Sequence, residues 1–331
     1  MVYPLRMMTK PIQIELPLGT TFPSVNIWLI PGDEPTLIDA GYRLPGSFEL
    51  LKKGLAENAY TISDIKKVLI THEHPDHMGL LPQILKESDA SVWCHKALAP
   101  WLQDYRSQEK EAFDFFQIYL EAAGMPKLVL ELITKEAIQR SLNIQVPDSR
   151  LHCFDTEDTL SIGDFNLEVL HTLGHCVTHY GFLDKEFQLF FGGDLLLQKA
   201  PFPTVREDPD VAEKRYSGLP DFLQSLERLK SLNVNKVYPG HGDEITEIHP
   251  LIDRQVTRIH QRKDECLDWI KSGRKTVFDI CQKMYASPNM MLQFAGAMMI
   301  LGYTDLLIQE GKISVSYNHK KEMIFEMNNR P

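Results

Sequence analysis

The heptapeptide Thr71-His72-Glu73-His74-Pro75-Asp76-His77 places three imidazoles and two carboxylates in seven consecutive residues. It directly follows Val68-Leu69-Ile70, an apolar run that reads as the end of a strand. Alternate residues of an extended segment point to the same side, so His72 and His74 converge on one point. Pro75 disfavours helical backbone at His74 and starts a turn, which carries Asp76 and His77 round to a second point beside the first. Imidazole and carboxylate are the usual ligands of zinc and similar divalent ions. The alternative is a polar loop that happens to be rich in histidine. Four candidate ligands in six residues, in a chain with only 12 histidines, argue against it.

The segments before this stretch read as antiparallel strands at 12–16, 25–30 and 36–38. The first alternates with period two and the second is continuously apolar. The third ends in Asp39-Ala40-Gly41, where Asp39 is either a carboxylate that orients a metal-bound histidine or the cap of a loop. A helix over 48–59 precedes the strand at 65–70 that delivers the heptapeptide, and a helix to residue 87 and a strand at 90–95 follow. Within residues 97–146, helical periodicity runs over 109–123 and 127–138, broken at Gly124-Met125-Pro126, with Phe113, Phe116, Ile118, Tyr119 and Leu120 on one aromatic-rich face. That face either packs in the core or belongs to a helical insertion that roofs a substrate pocket. Strands return at 159–164, 165–171, 189–191 and 236–238, with a helix over 219–231. Three of these strands end in glycine turns that carry a further candidate ligand: Gly174-His175, Gly193-Asp194 and Gly240-His241. Ligands at strand ends are held rigidly while loops vary the substrate. Beyond residue 250 the pattern is helix, helix, helix and hairpin, the outline of a small winged-helix-like module.

This ordered set resembles the metallo-β-lactamase-fold hydrolase superfamily. Its H-x-H-x-D-H signature reads His72-Glu73-His74-Pro75-Asp76-His77 here, followed in order by G-H, G-D and G-H at Gly174-His175, Gly193-Asp194 and Gly240-His241. Leu37-Ile38-Asp39-Ala40-Gly41 also looks like the family's L-I-D-x-G strand end. The resemblance implies an α/β (α+β) fold, an αββα sandwich over residues 1–250 with the insertion at about 97–146, and a two-metal site. His72, His74 and His175 would hold one ion, Asp76, His77 and His241 the second, and Asp194 would bridge them. Seven ligands exceed what one tetrahedral zinc takes, so two ions are the economical reading. Zinc is the expected metal, with iron or manganese compatible with the same ligands. A hydroxide bridging the ions would attack an ester-like bond, with Asp76 orienting it or taking its proton. Leu173 and Thr178 depart from the T-P-G-H-[ST]-x-G-H pattern common around the third histidine, which predicts a differently shaped loop around a retained ligand. Cys176 is expected to point away from the metals, and His179 to recur without being a primary ligand. The C-terminal part, including 306–313, is similar to the β-lactamase-like protein 2 branch, which implies that 251–331 form a winged-helix-like domain.

Charge and composition narrow the partners. Residues 1–250 carry 23 Lys and Arg against 36 Asp and Glu, whereas 251–331 carry 12 against 9. An acidic main body disfavours polyanions at long range. The expected substrate is therefore a small-molecule ester, preferably a thioester as in the glyoxalase II-like relatives. The alternative is an endoribonuclease of single-stranded RNA, for which Arg254, Arg258, Arg262, Lys263 and Arg274 would have to line a groove near the metals. A third reading is a non-catalytic nucleic-acid-binding regulator acting through the C-terminal module. Five cysteines without a C-x-x-C pair fit free thiols in a reducing compartment. Met1 to Lys10 has no apolar leader core and no run approaches the length of a membrane span, so the expected location is the cytoplasm. A homo-oligomer is compatible with the sequence.

Overall fold

The computed structural model of the chain describes residues 9–19, 22–140, 142–199, 206–208, 211–287 and 290–328. The leader expectation for Met1 to Lys10 therefore falls largely outside the described residues. Strands β1 (Ile12–Pro17), β2 (Ser24–Ile30), β3 (Thr36–Ile38), β4 (Lys67–Leu69), β5 (Ser91–His95) and β6 (Leu151–Phe154) form one six-stranded sheet in chain order. The first three pair antiparallel and the rest parallel. Parallel neighbours need crossovers. These are α1 (Ser47–Ala56), then α2 (Pro75–Met78) with α3 (Leu81–Glu87), then α4 (Ala99–Gln103), α5 (Tyr105–Ala122) and α6 (Lys127–Arg140).

The second sheet contains β7 (Thr159–Ile162), β8 (Phe165–His171), β9 (Tyr180–Asp184) and β10 (Leu189–Gly193), each antiparallel to the one before. A short ribbon, β11 (Glu207–Asp208) and β12 (Val211–Arg215), and helix α7 (Gly218–Ser231) follow. Strand β13 (Lys236–Pro239) then returns to pair parallel with β10. The chain continues as α8 (Ile248–Lys271), α9 (Val277–Met284), α10 (Met290–Gln309) and the hairpin of β14 (Ile313–Tyr317) and β15 (Met323–Met327).

Apolar patterning sets the layers. In β8, Phe165, Leu167 and Val169 are buried while Asn166 between them is exposed, the period of a strand with one face inward. That face meets Trp28, Ile38 and Leu69 of the first sheet, and Phe182, Phe191 and Tyr238 complete this inner core. Leu51, Leu55 and Ile84 of α1 and α3 cover the outer face of the first sheet against Ile27 and Val68. Phe222, Leu226, Ile252 and Leu301 cover the outer face of the second against Leu170 and Phe190. The result is the expected helix–sheet–sheet–helix sandwich.

The aromatic face of α5 is largely a packing surface. Phe116 and Leu120 are buried, and the Phe116 ring meets Phe294 of α10 at 5.3 Å. Ile118, expected on that face, is instead 64% exposed. Strand β9 escapes a sequence reading because it carries Gly181 near its start. A Cβ there would stand 2.1 Å from the Phe190 ring, so the glycine makes room for a neighbouring aromatic. No helix among the described residues is long and apolar enough to cross a membrane.

Candidate metal centre

Strands β8 and β10 flank antiparallel β9, and β13 runs parallel to β10, so all three end at the same edge of the second sheet. His175, Asp194 and His241 lie in the turns that leave those ends. His72 and His74 follow β4, with His74 in extended backbone at the start of α2, and Asp76 and His77 form that helix's first turn. The seven sequence-predicted residues are thus brought to one place. His72, His74 and His175 have ring nitrogens within 4.8 Å of one another, and the same holds for ligand atoms of Asp76, His77 and His241, and of His72, His77 and Asp194.

Glycines permit this convergence. Gly174 has φ 126°, and a Cβ on it would stand 2.3 Å from the backbone of Phe222 in α7. A Cβ on Gly240 would stand 2.4 Å from Asp194 Oδ1 and 2.7 Å from His77 Cε1.

The hydrogen bonds on the far side of each ring fix which nitrogen carries the proton. The Thr71 hydroxyl lies 2.9 Å from Asp39 Oδ2 and donates to it, so the hydroxyl oxygen accepts from His72 Nδ1 at 2.9 Å. His77 Nδ1 donates to Asp39 Oδ2 at 2.8 Å, and His241 Nδ1 donates to the Ser24 carbonyl at 2.6 Å. In all three rings Nε2 is thus the nitrogen turned inward, the one a metal ion would take once it carries no proton. His74 Nδ1 faces His72 Nε2 at 3.1 Å and His175 Nε2 at 2.7 Å. Asp194 stands between the two histidine sets: Oδ2 is 3.5 Å from His175 Nε2 and 3.4 Å from His241 Nε2, and Oδ1 is 3.5 Å from His77 Nε2. Asp39 is therefore a carboxylate that orients a candidate ligand, and it also holds the Thr71 backbone N–H.

His77 Nε2, His241 Nε2 and Asp194 Oδ1 are buried with no hydrogen-bond partner. Buried polar atoms left unpaired are costly, and metal ions held by these groups in place of protons would satisfy all three. The residues present fit divalent metal. Electrostatics agree. Burial, reinforced by His175, pushes His74 down to about 3. His77 is pushed up to about 10, because the attraction of Asp194, Asp39 and Asp76 outweighs burial. Burial also opposes the charge of Asp194, yet His241 and His77 hold that carboxylate well below its usual range. The centre is thus poor in protons at one end and holds one against three carboxylates at the other.

Other sequence expectations find places nearby. His179 Nε2 accepts from the Asp194 backbone N–H at 2.9 Å, so it holds a candidate ligand without facing the centre. The Cys176 thiol donates to Glu73 Oε2 at 3.1 Å, and the Thr178 hydroxyl donates to the same oxygen. Glu73 thereby ties the loop bearing His74 to the loop bearing His175, a role for which the sequence carries no local signal. His95 is buried and stacks on Tyr180 at 3.9 Å. Arg262 donates to the Met284 carbonyl at 2.7 Å and packs on the Tyr285 ring, and buried Lys263 pairs with Glu310. These two cations hold helices together.

Comparison with known proteins agrees with this architecture. The Metallo-beta-lactamase superfamily model matches residues 20–241. Probable metallo-hydrolase YqjP of Bacillus subtilis is 28% identical over 303 residues, 92% of this chain and 93% of that protein. A beta-lactamase-like protein 2 homolog of Caenorhabditis elegans is 23% identical over 277 residues, 83% of this chain and 75% of that protein. Atrochrysone carboxyl ACP thioesterase of Aspergillus fumigatus is 25% identical over 251 residues, 75% of this chain and 61% of that protein. The solved structure of a metallo-beta-lactamase family protein from Thermus thermophilus superposes with a TM-score of 0.78 at 23% identity, covering 96% of this chain and 98% of that one. With its sandwich fold and its His/Asp clusters at one sheet edge, this chain belongs to the metallo-beta-lactamase superfamily and is a metal-dependent hydrolase.

Proposed function

We propose that the chain hydrolyses a thioester or a closely related small-molecule ester at a two-metal centre. His72, His74 and His175 hold one ion, Asp76, His77 and His241 the other, and Asp194 contributes to both. The observation that carries this reading is the position of Asp194, whose two oxygens lie 3.4–3.5 Å from nitrogens of both histidine sets. Zinc is the proposed metal, since an imidazole-rich set with few carboxylates suits it. Bound there, two such ions would lower the pKa of a shared water and polarise the ester carbonyl.

The protein's own groups divide the remaining work. Asp194 is only 4% exposed and serves the metals alone, whereas Asp76 is 27% exposed and reaches the mouth of the centre. Asp76 is therefore placed to orient the attacking water and take its proton. Asp39, Thr71, the Ser24 carbonyl and His179 keep the ligands in one tautomer and one orientation. Because a thiolate leaves without needing a proton, a site with one exposed carboxylate suffices for a thioester. The similarity to a protein named as a thioesterase, over 75% of this chain, supports the same substrate class. The internal pairing of Arg262 and Lys263 removes two of five basic side chains from any groove that RNA would need.

The test is a hydrolysis screen on metal-analysed protein, setting aryl and acyl-carrier thioesters against single-stranded RNA. Thioester turnover without RNA cleavage is expected. RNA cleavage without thioester turnover would overturn the substrate assignment in favour of the ribonuclease.

A further inference from the structure

Arg206 stands beside the metal centre with its Nε donor unused. The side chain is 21% exposed, and Nε is buried without a hydrogen-bond partner. The carboxylate it pairs with is Glu73, whose Oε1 lies 3.9 Å from Nε, beyond hydrogen-bond reach. Glu73 Oε2 is already taken by the Cys176 thiol and the Thr178 hydroxyl, and Oε1 has no hydrogen-bond partner either. Glu73 thus balances the charge of Arg206 from a distance without supplying Nε with a bond. The guanidinium lies over the ring of Trp101 in α4, 5.2 Å from its centre, a cation–π contact that uses none of its N–H donors in a conventional hydrogen bond.

A guanidinium offers five N–H donors in a planar fork that matches carboxylate and phosphate. Leaving the Nε donor of such a group buried and unbonded is costly. Its position says what would take the bond. Two steps, 3.9 Å to Glu73 and at most 4.8 Å from a Glu73 oxygen to a His74 ring nitrogen, connect it to the first histidine set.

We propose that Arg206 determines substrate choice by binding an anionic group, a carboxylate or a phosphate, carried by the substrate a few bonds from the scissile carbonyl. This rests on the ester-hydrolase reading and extends it to substrate class. The anion seats on the guanidinium fork while the carbonyl lies over the metals, and α4 forms one wall of the pocket through Trp101.

Two aryl thioesters of matched acyl length provide the test: S-phenyl thiosuccinate, with a free carboxylate, and S-phenyl thiobutyrate, without one. The native enzyme is expected to favour the charged ester in kcat/KM by about tenfold or more, mainly through KM. The loss of a charge-assisted bidentate contact in Arg206→Gln should reduce that preference by about 10- to 100-fold, with bound metal per chain unchanged. Arg206→Lys, which keeps charge but not the fork, should recover part of it. Calorimetric titration of the metal-loaded protein with succinate and with inorganic phosphate distinguishes the two anions, and both signals should weaken in Arg206→Gln. If the native enzyme shows no preference, or if Arg206→Gln loses metal while keeping the preference, Arg206 is only a counter-charge for Glu73 and the proposal fails. If neither thioester is turned over but anion binding still depends on Arg206, the hydrolase substrate assignment fails and the anion site stands.

Discussion

At the scale of single residues, the centre depends on groups that never face a metal. Asp39 sits at φ 64°, a left-handed conformation uncommon outside glycine, and from there accepts bonds from the Thr71 N–H, the Thr71 hydroxyl and His77 Nδ1. Asp39→Asn keeps the size and tolerates the backbone but removes the charge that holds His77. Metal affinity measured against a competing chelator should fall about 10- to 100-fold; unchanged affinity would reduce Asp39 to a loop cap. Protonation provides a second prediction, for metal-free protein. His74 and His179 are held near 3 by burial, each with help from His175, whereas unfolded imidazoles titrate near 6.5. The unfolded chain therefore takes up protons first, and stability falls as pH drops from about 6.5 toward 3. His77, raised to about 10, acts in the opposite sense. Its contribution is full below about 6.5 and is lost as pH rises through 10. Urea midpoints of metal-free protein should thus decline on both sides of about pH 6.5, and a midpoint rising steadily to pH 10 would contradict the charge assigned to His77.

At the scale of elements, the recurring device is a strand that ends in a glycine turn and hands one candidate ligand to a shared edge. This is why so much of the site was legible. The candidate ligands His72, His74, Asp76, His77, His175, Asp194 and His241 announce themselves by local composition, since each group follows an apolar run and the last three follow a glycine. The strands with clean apolar patterning, β2, β3, β8 and β10, were legible for the same reason. Strand β9 was not, because the glycine that makes room for Phe190 also breaks its pattern. Glu73 and Arg206 were not, because their roles come from contacts between segments far apart in the chain. Gly174→Ala tests the device directly. The new Cβ would meet Phe222 at 2.3 Å in a backbone conformation that L residues rarely adopt. A loss of about 1–3 kcal/mol in unfolding free energy is expected, together with weaker metal binding through displaced His175. An Ala variant with native stability and native metal affinity would show that the loop has slack.

At the scale of the whole molecule, the C-terminal helices are joined to the sandwich by a continuous core. One apolar cluster runs from Leu170 and Phe190 of the second sheet through Phe222 and Leu226 of α7 to Ile259, Leu301, Leu307 and Phe325. Truncation after residue 250 strips that face, so the shortened chain should be insoluble or bind hydrophobic dye; a soluble, metal-binding fragment would show that residues 1–250 close their own core. The arrangement also keeps the proposed specificity residue apart from the candidate metal ligands. The candidate ligands come from turns and helix starts at strand ends on one edge of the sandwich, whereas Trp101 lies in α4 and Arg206 just before β11. The central claim is that seven converging side chains hold two ions through a shared Asp194. It is tested most directly by metal content per chain, determined by elemental analysis on the native protein and on Asp194→Ala purified alongside it. The expected result is two divalent ions per native chain and well below two in the variant; an Asp194→Ala protein that retains the full native complement would contradict it.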